Sequence, residues 1–234
     1  MRLRTELQAH DDGGDFKDQT FGWPELQAAS GVDRPQSFSG KGAAPSAAAM
    51  RPCGVMADDN TGAFQVGQTG LIVRIPEAEP AVRRWRDRFD PSAEAGVPAH
   101  VTVLFPFLEE SWMDPPLHSA LADVMRSHQA FDLQFQRCGR LPDVLYLVPE
   151  PDTQLRQLTE AIAERWPEAP PYGGRFDEIV PHLTIAQGQE EAVLEEIEAD
   201  LLGRLPFTAR ASSVELMVYD GTKWQERASF ALGG

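Results

Sequence analysis

From residue 67 onward the apolar positions recur with two alternating periods. Leu71-Ile72-Val73-Arg74-Ile75 is a short β-branched run and predicts a strand. Pro80 then opens a stretch in which Val82, Trp85 and Phe89 share one helical face, with arginines on the other. His100 to Phe105 predicts a second strand. Behind Pro115 and Pro116, Leu117, Leu121, Val124 and Met125 fall at the core spacing of a helix. Phe131, Leu133 and Phe135 alternate as a half-buried strand, and Val144 to Val148 predicts another. The second half repeats this order. Asp152 is the expected N-cap of a helix striped by Leu155, Leu158 and Ile162. Val180 to Ala186 predicts a strand, and Val193, Ile197 and Leu201 a fourth helix. Three short strands are expected at the end, around Phe207, from Val214 to Tyr219, and from Trp224 to Leu232.

Residues 1–66 carry no such period. They are rich in Gly, Ala, Ser, Asp and Pro, and the expected organisation is a disordered extension over 1–66 and one domain over 67–234. Met56, followed by Ala57-Asp58-Asp59-Asn60, reads as an alternative start. A genuine extension fits the composition equally well.

Composition narrows the compartment and the partners. No run of about 18 apolar residues occurs, so no membrane span is expected. The first residues turn polar at once, without the apolar centre of a signal peptide. Cys53 and Cys138 are the two cysteines, and a structural disulfide is not expected from them. A cytoplasmic location follows by default. The formal charge is −15. Residues 1–55 hold six basic and seven acidic side chains, so residues 56–234 carry the remaining 15 basic and 29 acidic, a net of −14. Such a body repels a long polyanion, which disfavours an extended nucleic-acid footprint. A compact anion held by local hydrogen bonds is compatible with it.

The one clear sequence echo carries chemistry. His100-Val101-Thr102-Val103 and His182-Leu183-Thr184-Ile185 share the form His, apolar, Thr, apolar, 82 residues apart. On a strand, side chains two apart face the same way, so each His and its Thr look out together while the apolar pair turns to the core. Attack on a phosphodiester needs a base, and departure of an alkoxide needs an acid. Two imidazoles, one neutral and one protonated, supply both near neutral pH. Threonine hydroxyls can donate to the non-bridging oxygens as their charge grows. A single His-x-Thr strand is commonplace and structural; two at matching places in two halves point to a site. A two-histidine zinc centre is the rival, but it needs a third ligand, and no spacing singles out Asp177 or Glu178. His10 falls in the extension, and His118 and His128 are expected to be solvated on or beside a helix.

These motifs resemble those of the two-histidine phosphoesterase superfamily, which includes the bacterial 2′-5′ RNA ligase and RNA 2′,3′-cyclic phosphodiesterase group. The resemblance covers residues 67–234. Gly96-Val97-Pro98-Ala99-His100-Val101-Thr102-Val103 with Phe105-Pro106-Phe107 carries it, as does Val180-Pro181-His182-Leu183-Thr184-Ile185-Ala186. It implies an α+β bilobal, pseudo-twofold fold, with antiparallel strands and two helices per lobe around a central cleft. It also implies that His100, Thr102, His182 and Thr184 are catalytic. Imidazolium and hydroxyls already supply the electrostatics, so no metal and no cofactor is expected.

The resulting expectation is an enzyme that hydrolyses a 2′,3′-cyclic phosphate on a nucleotide or RNA terminus, acting as a monomer. The alternatives are 2′-5′ ligation by the same four residues, or a non-catalytic module binding RNA ends or nucleotides. Tyr172, Arg175 and Phe176, in the Gly-rich loop before the second motif, are the candidate substrate contacts, by stacking and by phosphate contact. An ordinary exposed loop has the same composition. Arg74 is expected to face either the cleft or solvent, Trp224 to be core, and Cys138 to be a bystander thiol.

Overall fold

The computed structural model describes residues 64–176 and 178–234. The expected extension therefore lies outside the described residues up to position 63. Phe64, the first described residue, is packed. Its ring meets Trp224 at 5.1 Å between centroids, Tyr219 at 5.5 Å and Phe105 at 6.5 Å.

The chain then runs β1 (Thr69–Arg74), α1 (Glu79–Phe89), the single turn α2 (Pro91–Glu94), β2 (His100–Leu104), α3 (Pro115–Arg126) and β3 (Phe131–Leu141). It continues with β4 (Val144–Glu150), α4 (Thr153–Arg165), β5 (Leu183–Gln187), α5 (Glu191–Leu202), β6 (Phe207–Ala211), β7 (Ser213–Tyr219) and β8 (Trp224–Ala231). Every pairing between strands is antiparallel, in two four-stranded sheets of order β2-β1-β7-β8 and β5-β4-β3-β6. The strand-helix-strand order of β1-α1-β2 recurs as β4-α4-β5, so each half contributes its motif strand as an outermost strand.

The helices interlock the halves. Helix α1 packs against β5 of the other half, and α4 packs against β2. The apolar stripes read from the sequence are what they bury: Val82 and Trp85 on α1, Leu155, Leu158 and Ile162 on α4. With Leu71, Val73, Val101, Val103, Leu183 and Ile185 from the strands, they form one continuous core across both halves. A smaller cluster of Ile72, Val97, Met217 and Trp224 lies on the opposite face of the β1–β2 sheet, where Phe64 and Phe105 join it. Trp224 is thus packed, as expected.

Three local expectations need correction. The second motif strand starts at Leu183, so His182 stands just before it instead of inside a strand from Val180. Asp152 occupies the N-cap position of α4, but its side chain makes no cap bond; its carboxylate accepts from Arg156 Nε at 2.7 Å. His118 and His128 are half-buried, not solvated, and His118 lies 5.8 Å from the Phe230 ring. Cys138 is free and half-buried against the core. Burial raises its thiol to about 11, so it is protonated at neutral pH.

An outermost strand leaves half its backbone groups unpaired, and those facing the interior need partners. On β2 the Val103 carbonyl accepts from the buried Thr159 hydroxyl of α4 at 2.7 Å. Replacing Thr159 with valine keeps the shape and orphans that carbonyl. The expected loss is about 1–3 kcal/mol of unfolding free energy, read from the denaturant midpoint, with Thr159→Ser close to the parent. A neutral valine variant would mean that the carbonyl finds another donor.

Candidate active site

The two motif strands come together at their outer edges: β2 contacts β5. Along β2 the burial alternates as the residue types require. His100 and Thr102 are half-buried on one face, while Val101 and Val103 are buried on the other. His182 and Thr184 are likewise half-buried, flanking buried Leu183. The histidines are near enough for charge on His182 to be one of the smaller causes that lower His100. All four motif residues therefore stand around one place.

Each ring is tied down in the same way. His100 Nδ1 lies 2.8 Å from the carbonyl of Pro98, and His182 Nδ1 lies 2.7 Å from the carbonyl of Val180. A carbonyl only accepts, so in both rings Nδ1 carries the hydrogen and donates it. Nε2 then carries a lone pair when the ring is neutral and is a donor when it is protonated. The peptide segment leading into His100 is held throughout. Arg86 Nη2 donates to the Val97 carbonyl at 3.2 Å, Glu79 accepts the Ala99 N–H at 2.7 Å, and the Ile75 N–H donates to the Ala99 carbonyl at 2.8 Å.

The charges nearby act on these rings. Arg86 and Asp90 form a buried ion pair, 2% and 4% exposed, with Nε to Oδ2 at 2.9 Å. Removing one member of such a pair costs about 3–5 kcal/mol, because the other charge is left buried and uncompensated. Burial and then the Arg86 guanidinium push His100 down to about 4, from an ordinary 6.5. Burial also lowers His182, opposed by its bond to Val180 and by the Asp90 carboxylate. Both rings are therefore neutral at neutral pH.

Arg74 faces the site, because it is the register partner of His100 on β1, and it is paired with Glu226 at 2.9 Å. Beside them a cavity of about 390 Å³ is lined by Arg74, Arg86, Pro98, Met217, Trp224 and Glu226, but by none of the four motif residues. Across the site, Tyr146 is the partner of Thr184 and meets the His182 ring at 5.5 Å. Sequence reasoning misses Tyr146, which reads as one position of a buried strand. A Cβ on Gly139 would fall 2.5 Å from its ring, so the glycine is what lets Tyr146 lie flat there.

The loop candidates divide. Tyr172, at φ 52°, donates its N–H to the Phe105 carbonyl at 2.7 Å, which joins the loop to the end of the first motif strand. Desolvation raises its hydroxyl to about 12. Phe176 is 57% exposed and touches Tyr172 edge-on at 5.6 Å. Arg175 is exposed. Among the described residues no three His, Cys, Asp or Glu side chains are gathered as a metal ion would require. No described helix is long and apolar enough to cross a membrane.

A sequence model of the 2′-5′ RNA ligase superfamily matches residues 75–223, a span that takes in both motifs. The chain belongs to the 2′-5′ RNA ligase superfamily. Similar folds include the E. coli LigT crystal structure in complex with 3′-AMP, at 19% identity and TM-score 0.49, covering 73% of this chain and all of that one. TT0787 of Thermus thermophilus is similar at 18% identity and TM-score 0.49, covering 71% of this chain and 98% of its own. A crystal structure described as a phosphoesterase matches at 18% identity and TM-score 0.45, covering 72% and 99%. No curated protein matches the chain.

The depressed His100 has a consequence for stability. An unfolded histidine takes a proton near 6.5, whereas folded His100 stays neutral until about 4. Between those values the unfolded chain binds more protons, so acidification favours it. The stability carried by neutral His100 is complete above 6.5 and is lost as pH falls toward 4. Unfolding free energy measured across that window should fall less steeply in His100→Asn than in the parent. Equal slopes would mean that His100 titrates as an ordinary histidine.

Proposed function

We propose that this chain hydrolyses 2′,3′-cyclic phosphates of nucleotides or RNA ends, without a metal, using His100, Thr102, His182 and Thr184. The observation that carries this reading is the matched pair of rings, each with Nδ1 occupied by a backbone carbonyl and Nε2 left to work. One Nε2 takes a proton from water as its oxygen bonds to phosphorus. The other, protonated, gives its proton to the ribose oxygen as the phosphorus–oxygen bond breaks, leaving a ribose monophosphate. The two threonine hydroxyls donate to the non-bridging oxygens, whose charge grows on the way. An anion in the site favours protonation of a ring that is otherwise neutral, so substrate binding itself helps to charge the acid.

Ligation is the second reading, and the same groups support it. When a 5′-terminal ribose hydroxyl replaces water as nucleophile, the same proton transfers open the cyclic phosphate into a 2′-5′ linkage. The acidic charge of the chain favours the small nucleophile and the short substrate over two RNA ends.

Alanine at His100 or His182 should lower kcat by roughly 10²- to 10⁴-fold while the fold survives. Valine at Thr102 or Thr184 should cost about 10- to 100-fold, as expected for one lost hydrogen bond to a charged group. The assay is turnover of a cyclic mononucleotide in excess chelator. Activity abolished by chelator and restored by zinc would replace this reading with the metal one. Both rings are lowered, so kcat/KM should be bell-shaped with its apex below pH 6.5. An apex well above 6.5 would remove the two rings as its source.

Substrate length is a separate prediction. A cyclic mononucleotide should be processed about as efficiently as a long RNA with the same end, with a salt slope equivalent to roughly one to three phosphate contacts. Comparing kcat/KM for both at two salt concentrations decides it. Strong preference for the long RNA with a steep slope would favour the ligation reading.

A further inference from the structure

The two motifs are held by similar devices that their sequence echo does not contain. Arg86 on α1 donates from Nη2 to the Val97 carbonyl at 3.2 Å, three residues before His100, and from Nε to Asp90 Oδ2 at 2.9 Å. Arg156 on α4, the equivalent helix of the second half, donates from Nη1 to the Ile179 carbonyl, three residues before His182. Its Nε donates to Asp152 Oδ2 at 2.7 Å. Each guanidinium thus spans from a carboxylate on or beside its own helix to the third carbonyl ahead of a motif histidine. The carboxylate lies four residues after Arg86 but four residues before Arg156, so the shared feature is spatial.

We propose that Arg86 and Arg156 are the paired positioning residues of this site, each fixing the peptide on which its histidine ring hangs. The carbonyl held by the arginine and the carbonyl held by His Nδ1 belong to consecutive residues, Val97 and Pro98 in one half, Ile179 and Val180 in the other. Rotation of the intervening backbone would carry the second carbonyl away from the ring. The ring would then lose its Nδ1 tautomer and the placement of Nε2. A planar fork suits this task because it holds a carboxylate and a carbonyl at a fixed mutual angle, which an ammonium cannot. The devices differ in setting. The Arg86 side chain is 2% exposed, whereas that of Arg156 is 32% exposed and also lies 3.6 Å from Glu178.

That difference makes the test practicable. The proposal rests on the cyclic-phosphate reading only in its kinetic arm; the other arm needs no substrate. The full chain is labelled with ¹⁵N-histidine, and the ring nitrogen shifts report the tautomer of each histidine. Arg156→Met and Arg156→Lys are compared with the parent, with Arg86→Lys as the counterpart in the first half. In both Arg156 variants His182 should pass from a single Nδ1–H form to a mixture, while His100 keeps its form. Turnover of a cyclic mononucleotide should lose about 10- to 100-fold in kcat, with KM within about twofold. Arg86→Lys should do the same to His100 alone.

If Arg156→Met lowers only the melting temperature and leaves the His182 tautomer and kcat unchanged, the arginine merely fastens a helix and the proposal falls. It falls also if only one half responds, since the pairing is then accidental. A parent that turns over no cyclic phosphate would defeat the functional reading, while the tautomer arm still decides this one.

Discussion

Both motif strands are the outermost strands of their sheets, and most of the architecture follows from that. A sheet edge offers unpaired backbone groups that must be satisfied or covered. Here each edge is covered from the other half. Thr159 of α4 reaches the Val103 carbonyl of β2, the Tyr172 N–H reaches the Phe105 carbonyl at its end, and α1 packs on β5. The cover for one motif strand is thus built from the half that carries the other. The two motifs cannot shift relative to one another without disturbing the core that both halves share. Catalysis by proton transfer needs that registration, because a displacement of about 1 Å between acid, base and phosphorus is costly.

The electrostatics are local. A chain of net charge −15 is a poor long-range attractor of phosphate. What the site offers instead is two desolvated imidazoles, two hydroxyls, and arginines already committed to carboxylates. Arg74 is paired with Glu226 and Arg86 with Asp90. Desolvation keeps the rings neutral, and under the proposed function the same low-polarity surroundings would strengthen a ring–phosphate interaction. On that proposal, binding would be governed by short-range geometry, which would suit a small substrate better than a long one.

The sequence made the elements legible because their apolar residues lie at the right periods. Val82 and Trp85, and Leu155, Leu158 and Ile162, mark helices whose buried faces are those residues. The motif echo singled out four residues; strand alternation makes His100 and Thr102 face together on β2, whereas His182 stands just before β5 and is half-buried like Thr184. Three-dimensional pairings were not legible. Tyr146 looks like any strand residue until the register sets it opposite Thr184. Asp152 has the composition of an N-cap, but a neighbouring guanidinium competes for its carboxylate, and a charge-assisted bond outweighs a cap to a neutral N–H. Arg86 and Arg156 stand in dissimilar sequence contexts, so no spacing connects them. Phe64 falls in a stretch without period, yet a single aromatic ring is enough to anchor it to the cluster around Trp224.

The Gly-rich loop shows how far composition alone reaches. Tyr172, Arg175 and Phe176 group together because all three can touch a nucleotide, but the structure gives them different work. Tyr172 sits at φ 52° with its N–H bonded to the first motif strand and its hydroxyl desolvated, so its position is fixed by the backbone. Gly173 and Gly174 follow at φ 64° and 73°, with open space where a Cβ of Gly173 would stand. Backbone conformation, not crowding, is therefore what requires glycine at 173. The turn they make carries the chain from that anchor out to Phe176, whose ring is largely in solvent and meets Tyr172 only by an edge contact. A base that stacks on this loop would find its open face at Phe176, with Tyr172 as the half-buried support that keeps the ring near the first motif. Phe176→Ala should then raise KM for a cyclic nucleotide and leave it unchanged for a cyclic phosphate that lacks a base. Tyr172→Phe should do neither, because its backbone bond and ring remain. Equal KM changes for both substrates in Phe176→Ala would place the loop's contribution in its shape instead of in stacking.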